Sequence, residues 1–195
     1  MGDPICKWRT ASIETAVELV KQLPKKEMAE EAFWTKMEGS LYGAAFKKTA
    51  YQLATQMGLY YIDEGVYHPR FDHNISLKEA EEYLKHWVQN YYVPNPYTAR
   101  RFDRMEHSVI LLYAVADFCW VHPHLANLQT ACDSIFGETT GNLGSVKMML
   151  KTYSGFMDID TNNDIHINPL LYTPKYYDVF IHRYDKKAFF EAFNF

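Results

Sequence analysis

The acidic residues towards the end of this 195-residue chain include a set with the chemistry of a metal site. Asp178 and Asp185 could supply two carboxylates to Mg²⁺, and Lys187 could polarise an attacking water for phosphodiester hydrolysis. The spacing is short for such a site, and Lys187 also fits the beginning of a helix. We therefore keep a metal-dependent nuclease as an alternative behind two non-catalytic functions.

A second run of oxygen ligands extends from Asp158 to Asp164, with carboxylates or amides at alternate positions as in a calcium-binding EF-hand loop. The two most diagnostic positions do not fit. The sixth is Asn163 where the loop needs glycine, and the twelfth is Pro169 where it needs a bidentate glutamate. We interpret the run as the polar tip of a β-hairpin.

Soft metal ligands occur together at Cys119, His122 and His124, with Cys132 downstream. Structural zinc sites usually show two regular half-sites, and only one irregular cluster is present in this sequence. Both cysteines fall on apolar helical patterns, where a free cysteine behaves as a small buried hydrophobe. We predict core packing for them, and neither a metal nor another cofactor for the chain.

One further enzymatic pattern is weak. Arg101 and His107 have the spacing of the Arg–His pair in the helical HEPN ribonucleases, but the hairpins predicted below do not belong to that fold. The sequence shows no Ser-His-Asp set, no phosphate-binding P-loop and no GxGxxG motif. It therefore favours a binding function over catalysis.

Composition predicts a soluble, cytoplasmic protein with a sizeable core. Hydrophobic residues make up 48% of the chain and aromatic residues 16%. Three scattered cysteines do not form a disulfide framework, no run of about 18 apolar residues could span a bilayer, and the first residues lack the apolar stretch of a secretory signal. The net charge of −4 argues against a wholly basic surface but permits a local basic patch.

The first half of the chain predicts three helices followed by a hairpin. The predicted elements are helices from Ile13 to Pro24, over 27–38 and over 44–57, then strands over 59–62 and 66–68 around a turn at 63–65. Gly58 suits the cap of the third helix. A linking helix follows a capping box formed by Ser76 and Glu79, and the prolines at 94 and 96 mark a module boundary.

The same order recurs in the second half. The predicted elements are helices over 105–120, 125–136 and 142–154, then strands over 156–160 and 164–168 around a turn at 161–163. Gly155 suits the cap of the last of these helices. An extended stretch over 176–181 and an aromatic helix over 187–193 should dock back on the body of the protein.

We therefore predict a mainly α chain with short β-hairpins, an α+β protein of two modules in tandem, residues 1–93 and 94–195. The stretches AAFKKTAYQLATQMGLYYIDEGVYHPR and NLGSVKMMLKTYSGFMDIDTNNDIHIN carry this repeat, which resembles the tandem winged-helix proteins. Similar modules serve as recognition domains of restriction enzymes and transcription regulators, and as protein-binding subunits of chromosome-condensing complexes. The resemblance is one of topology.

The resemblance implies that the third helix of the first module enters the major groove of duplex DNA. Its polar face combines phosphate donors with amides that can read adenine edges, and the hairpin acts as a wing. The predicted DNA contacts are Lys47, Lys48, Tyr51, Gln52, Thr55 and Gln56 on the helix, His68 and Arg70 at the wing, and Arg100, Arg101 and Arg104 beyond the module boundary. Our first hypothesis is a non-catalytic DNA-binding protein of a restriction, defence or regulatory system.

The second module has a different chemical character. Its wing carries Asp158, Asp160 and Asp164, which would repel phosphate. Fifteen Tyr and twelve Phe exceed the needs of a minimal core and favour contacts with a protein. The second hypothesis is therefore a protein–protein adaptor, or a dimerising structural subunit of a larger complex, that uses this aromatic surface.

Overall fold

The computed structural model describes residues 5–6, 11–38, 51–98, 102, 104–137, 143–176, 178–179 and 183–195, apart from the side chains of 51, 178 and 179. In these ranges the chain is α+β, with eight α-helices and small antiparallel sheets, which confirms the predicted class. No helix within them combines the length and the apolar character needed to cross a membrane.

The chain divides into two compact units. The first unit consists of Lys7–Trp87 and Lys186–Phe195, and the second consists of Met1–Cys6 and Val88–Asp185. These boundaries differ from the predicted division into residues 1–93 and 94–195. The last ten residues, which the sequence assigned to the second module, belong to the first unit.

The first unit combines helices with a three-stranded antiparallel sheet of order β1-β3-β2. Its described elements are α1 (Ile13–Gln22), β1 (Met28–Ala29), α2 (Glu30–Glu38), α3 (Tyr51–Gln56), β2 (Tyr60–Asp63), β3 (Val66–Pro69), α4 (Leu77–Asn90), which continues into the second unit, and α8 (Lys186–Glu191). The Ser12 hydroxyl caps α1 by accepting the Thr15 N–H at 3.1 Å.

The predicted hairpin of the first unit is confirmed, and a third strand joins it. Glu64 and Gly65 both have positive φ, 46° and 75°, as the tight two-residue turn between β2 and β3 requires. Met28 pairs with Tyr67, although the sequence placed it in a helix. The helix begins only at Glu30 because the free edge of β3 offers main-chain hydrogen bonds to β1.

Aromatic rings fill the core of the first unit. Phe33 stacks on Tyr67 with 4.3 Å between ring centroids, and the Tyr67 hydroxyl donates to the Pro24 carbonyl at 2.9 Å. The Trp87 indole N–H donates to the Gln56 carbonyl at 2.9 Å, which ties α4 to α3. These buried polar ends are satisfied, as burial of Tyr and Trp requires.

The second unit contains two small sheets, of order β4-β5-β8 and β6-β7. Its described elements after α4 are β4 (Tyr92–Val93), β5 (Ser108–Ile110), α5 (Leu111–Val121), a 3₁₀ turn (Pro123–Leu125), α6 (Leu128–Phe136), α7 (Gly144–Tyr153), β6 (Met157–Ile159), β7 (Ile165–Ile167) and β8 (Asp178–Val179). Helix α5 begins six residues later than the sequence predicted, because Ser108–Ile110 pairs with both β4 and β8.

Candidate functional site

The described part of the predicted DNA-reading helix, α3, has buried and half-buried polar side chains. Thr55 and Gln56 on α3 are 2% and 1% exposed, and Gln52 is half-buried. The Thr55 hydroxyl donates to the Gln52 carbonyl at 3.3 Å. The prediction is wrong in placing Thr55 and Gln56 on a solvent face, because both side chains are packed inside the first unit.

The predicted wing residues have partners within the first unit. His68 Nδ1 lies 2.6 Å from the Glu27 carboxylate, and its ring stacks on Tyr61 with 4.5 Å between centroids. Both contacts use the side chain that was expected to meet phosphate. In the folded chain, His68 instead links the hairpin to the segment that precedes β1.

Arg70 anchors the last residues of the chain. Its Nε donates to the Gly58 carbonyl and its Nη1 to Asn194 Oδ1, both at 2.7 Å, while Nη2 donates to the Phe190 carbonyl. The guanidinium carbon lies 3.8 Å from the centroid of the Phe190 ring. Burial lowers the pKa of Arg70. Arg70 therefore has a structural role in the first unit, and its contact with phosphate stays a prediction.

The remaining predicted contacts do not form a described patch. Arg104 is exposed on the second unit. Lys47, Lys48, Arg100 and Arg101 lie outside the described residues, as does the side chain of Tyr51. DNA binding through those residues stays a prediction.

The metal-site alternatives gain no geometric support from the described ranges, where no group of three or more His, Cys, Asp or Glu side chains converges. Lys187 makes an exposed ion pair with Glu191 at 4.0 Å, and Asp185 is exposed. Cys119 and Cys132 are free and buried, as predicted for core packing. Burial raises the pKa of both thiols to about 12, which keeps them protonated.

The acidic run of the second unit forms the tip of the predicted hairpin β6–β7. Asp160 Oδ1 accepts the N–H groups of Asn162 at 2.8 Å and Asp164 at 3.0 Å, and Asn163 takes the left-handed φ of 68°. The carboxylate therefore closes the turn. Lys151 from α7 lies 2.8 Å from Asp158 and offsets part of the negative charge of the wing.

The hairpin tip is fastened to the beginning of α6. Asn127 caps that helix by accepting the Gln129 N–H at 3.0 Å, and its amide donates to Asp164 Oδ1 at 3.0 Å and to the Asn162 carbonyl at 3.1 Å. One side chain thus joins the cap of a helix to a loop that lies 35 residues further along the chain. This contact fixes the position of β7 next to the turn that follows α5.

A groove lies between β7 and the end of α5, within the second unit. Its volume is about 310 Å³, and its lining residues are Cys119, Trp120, Pro123, Ala126, Ile165, His166 and Ile167. The lining contains no acidic residue. Trp120 is 40% exposed, an unusual state for the largest apolar side chain.

Other exposed apolar residues lie close in the sequence to those that line the groove. Val121 and Leu125 are 52% and 41% exposed, and Leu170, just beyond β7, is 91% exposed. Trp120 also packs edge-to-face on Tyr172 with 5.9 Å between centroids. We call the groove together with these exposed residues the Trp120 surface: Trp120, Val121, Pro123, Leu125, Ile167 and Leu170.

Sequence reasoning did not single out the Trp120 surface. Trp120 stands at the end of an apolar helical pattern and Pro123 closely follows it, so the sequence predicts it only as the last residue of a strongly apolar helix. The one available signal was the position of a large aromatic residue at a helix end. No protein-family model, curated protein or solved structure matches this chain.

Proposed function

We propose that this chain is a non-catalytic protein-binding adaptor and that the Trp120 surface of its second unit receives the partner. The observation that carries the proposal is the open groove beside an exposed tryptophan. Tryptophan is enriched among the residues that dominate binding energy at protein interfaces. Val121 and Leu125, close to Trp120 in the sequence, are exposed as well, and contiguous exposed apolar area usually marks an interaction site.

The placement of the predicted DNA contacts also favours this function over our first hypothesis. Thr55 and Gln56 are buried, and Arg70 is held by main-chain and side-chain oxygens of its own unit. As part of the same proposal, each unit is a winged-helix-like module, since helices precede a β-hairpin in both. In this proposal the two modules have different roles, and the second module contacts the partner protein.

A peptide-display selection tests the proposal. Short random peptides on phage are selected against the full chain, and the affinity of the best synthetic peptide is measured by calorimetry. Trp120→Ser should weaken binding at least about tenfold, or about 1.4 kcal/mol, because it removes the aromatic wall of the groove. The folded state should persist, since Trp120 is already 40% exposed.

Leu77→Ser is the matched control, because Leu77 is 59% exposed on the first unit. It removes an exposed apolar side chain that does not line the groove and should leave peptide affinity unchanged. If no peptide is selected, or if the two substitutions act equally, the Trp120 surface is not a protein-binding site. Salt-dependent binding of duplex DNA in that case would restore the first hypothesis.

A further inference from the structure

The hydrogen-bond pattern of the β6–β7 hairpin determines which main-chain groups of β7 point outwards. Asp160 N–H donates to the Asp164 carbonyl at 3.0 Å, and Asn168 N–H donates to the Phe156 carbonyl at 2.9 Å. Hydrogen-bonded pairs alternate along an antiparallel ladder, so His166 is also paired with Asp158. The N–H and C=O groups of Ile165 and Ile167 therefore face the outer edge.

The chain itself pairs with only part of that edge. Ile165 N–H donates to the Ala126 carbonyl at 2.8 Å, and Asn127 lies opposite Asp164 in antiparallel register. Continuing this register would place residue 124 opposite Ile167. The chain turns away there into the 3₁₀ turn Pro123–Leu125. Within the described ranges no main-chain group is hydrogen-bonded to the outward N–H and C=O of Ile167, which lies opposite Met157 on its other side.

The groove lies beside Ile167, where the chain would have continued along the edge of β7 if it had not turned away at Pro123–Leu125. Ile167 and Ala126 line it on the strand side, and Trp120 and Pro123 line it on the helix side. A volume of about 310 Å³ is near the lower limit of about 300 Å³ for ligand pockets, so it holds one or two side chains. A stable interface between globular surfaces needs roughly 800 Å² on each partner, far more than this groove offers.

We infer that an extended segment of the partner protein adds to the outer edge of β7, antiparallel to it, with one residue joined to Ile167 by two main-chain hydrogen bonds. This inference rests on the proposed function and specifies the conformation of the partner. Only an extended backbone presents an N–H and a C=O from one residue to a strand edge. Directly opposite residues share a face, so the paired residue places an apolar side chain beside that of Ile167.

A helix and a second copy of the chain fit the same geometry poorly. A helix has its main-chain groups bonded internally and cannot satisfy Ile167. Pairing two β7 edges about Ile167 would set Pro169, which has no N–H, opposite Ile165 of the other copy. The partner is therefore a single extended segment with an apolar residue between neighbours that need not be apolar.

Backbone N-methylation of the peptide selected above tests the conformation directly. Each nitrogen is methylated in turn, and affinity for the full chain is measured. Methylation at the paired residue removes one hydrogen bond and should weaken binding about tenfold. Methylation at its two immediate neighbours should change affinity less than about twofold, because their N–H groups point away from β7.

Amide hydrogen exchange supplies the readout on the protein side. The Ile167 amide should exchange quickly in the free chain and slow at least about tenfold when the peptide is bound. The Ile165 amide is the internal control, since its bond to Ala126 protects it in both states.

Three outcomes are distinguishable. An alternating methylation pattern with protection of Ile167 supports strand addition. Uniform tolerance of methylation, with binding still lost in Trp120→Ser, overturns strand addition and leaves the proposed function intact. Binding that ignores Trp120→Ser, or failure to select any peptide, overturns both.

Discussion

Single residues with fixed conformations hold the first unit together. Gly58 follows α3 with φ of 65°, in the left-handed region that side chains with a Cβ rarely adopt. The Gly58 carbonyl accepts a hydrogen bond from Arg70 Nε. The Phe193 ring occupies the space where a Cβ of residue 58 would lie. Gly58, which the sequence predicted as a helix cap, thus also contacts the Phe193 ring from the last ten residues.

Gly58→Ala should destabilise the first unit by about 2–4 kcal/mol, the sum of about 1 kcal/mol for the backbone and the cost of displacing Phe193. Gly65→Ala is the matched control, because Gly65 has φ of 75° but nothing within 4 Å of the added Cβ. It should cost about 1 kcal/mol. Urea unfolding measures both, and equal losses would show that Phe193 does not press on Gly58.

At the scale of elements, local signals and tertiary pairing compete. The capping box of α4 is a local signal that the structure confirms: the Ser76 N–H donates to the Glu79 carboxylate at 2.8 Å, and the Glu79 N–H donates to the Ser76 hydroxyl at 3.2 Å. At the beginnings of α2 and α5, tertiary pairing prevailed over the local signal. Residues with helical periodicity became β1 and β5 because neighbouring strands offered main-chain partners.

The capping box predicts an acid-dependent contribution to stability. Three contacts lower the pKa of Glu79 from 4.5 to about 2. The largest effect comes from the hydrogen bond that the Ser76 N–H donates to the carboxylate, followed by the bond from the Ser76 hydroxyl and the contact with His73. Folding therefore favours the charged form of the Glu79 carboxylate. Its contribution to the free energy of unfolding is present above pH 4.5 and is lost as the pH falls towards 2. Glu79→Gln should be less stable than the natural chain at pH 6 and equally stable near pH 2.

Thermal unfolding between pH 2 and pH 7 measures this difference. Glu82→Gln on the same helix is the matched control, because Glu82 makes only an exposed pair with Lys78 at 3.8 Å. It should follow the profile of the natural chain. A Glu79→Gln deficit that persists at pH 2 would contradict the role of the charged cap.

At the scale of the whole molecule, the two units differ in which segments of the chain complete them. The first unit is completed by residues 186–195, whose Phe189 and Phe193 are 1% and 0% exposed. The second unit is held by contacts within residues 88–185, such as those of Asn127, which joins α6 to the hairpin β6–β7. Loss of the last ten residues therefore removes core from one unit only.

Deleting residues 186–195 should raise amide exchange in β2 and β3 at least about a hundredfold, because two buried Phe side chains and two Arg70 acceptors are lost. The amides of β6 and β7 should exchange as before. Lys187→Ala, which alters an exposed residue of the same segment, should change neither set. A similar rise in both hairpins would mean that the units do not respond separately.

Some features of this protein follow from the sequence alone, since neighbouring residues produce them. The positive φ of Gly58 and Gly155, the turn at Gly65 and the capping box at Ser76 each depend on a few adjacent side chains and on steric limits of the backbone. Alternating apolar residues likewise predicted both hairpins, and buried cysteines followed from their place in apolar helices.

Only the tertiary structure decided which side chains are available to a partner. Arg70 meets acceptors that lie 120 or more positions away, so its charge could not be assigned to protein or phosphate from sequence. Thr55 and Gln56 look like a polar helix face and are buried, whereas Trp120 looks like core and is exposed. The reason is physical: exposure depends on which distant segments cover a residue, and local periodicity carries no information about that packing.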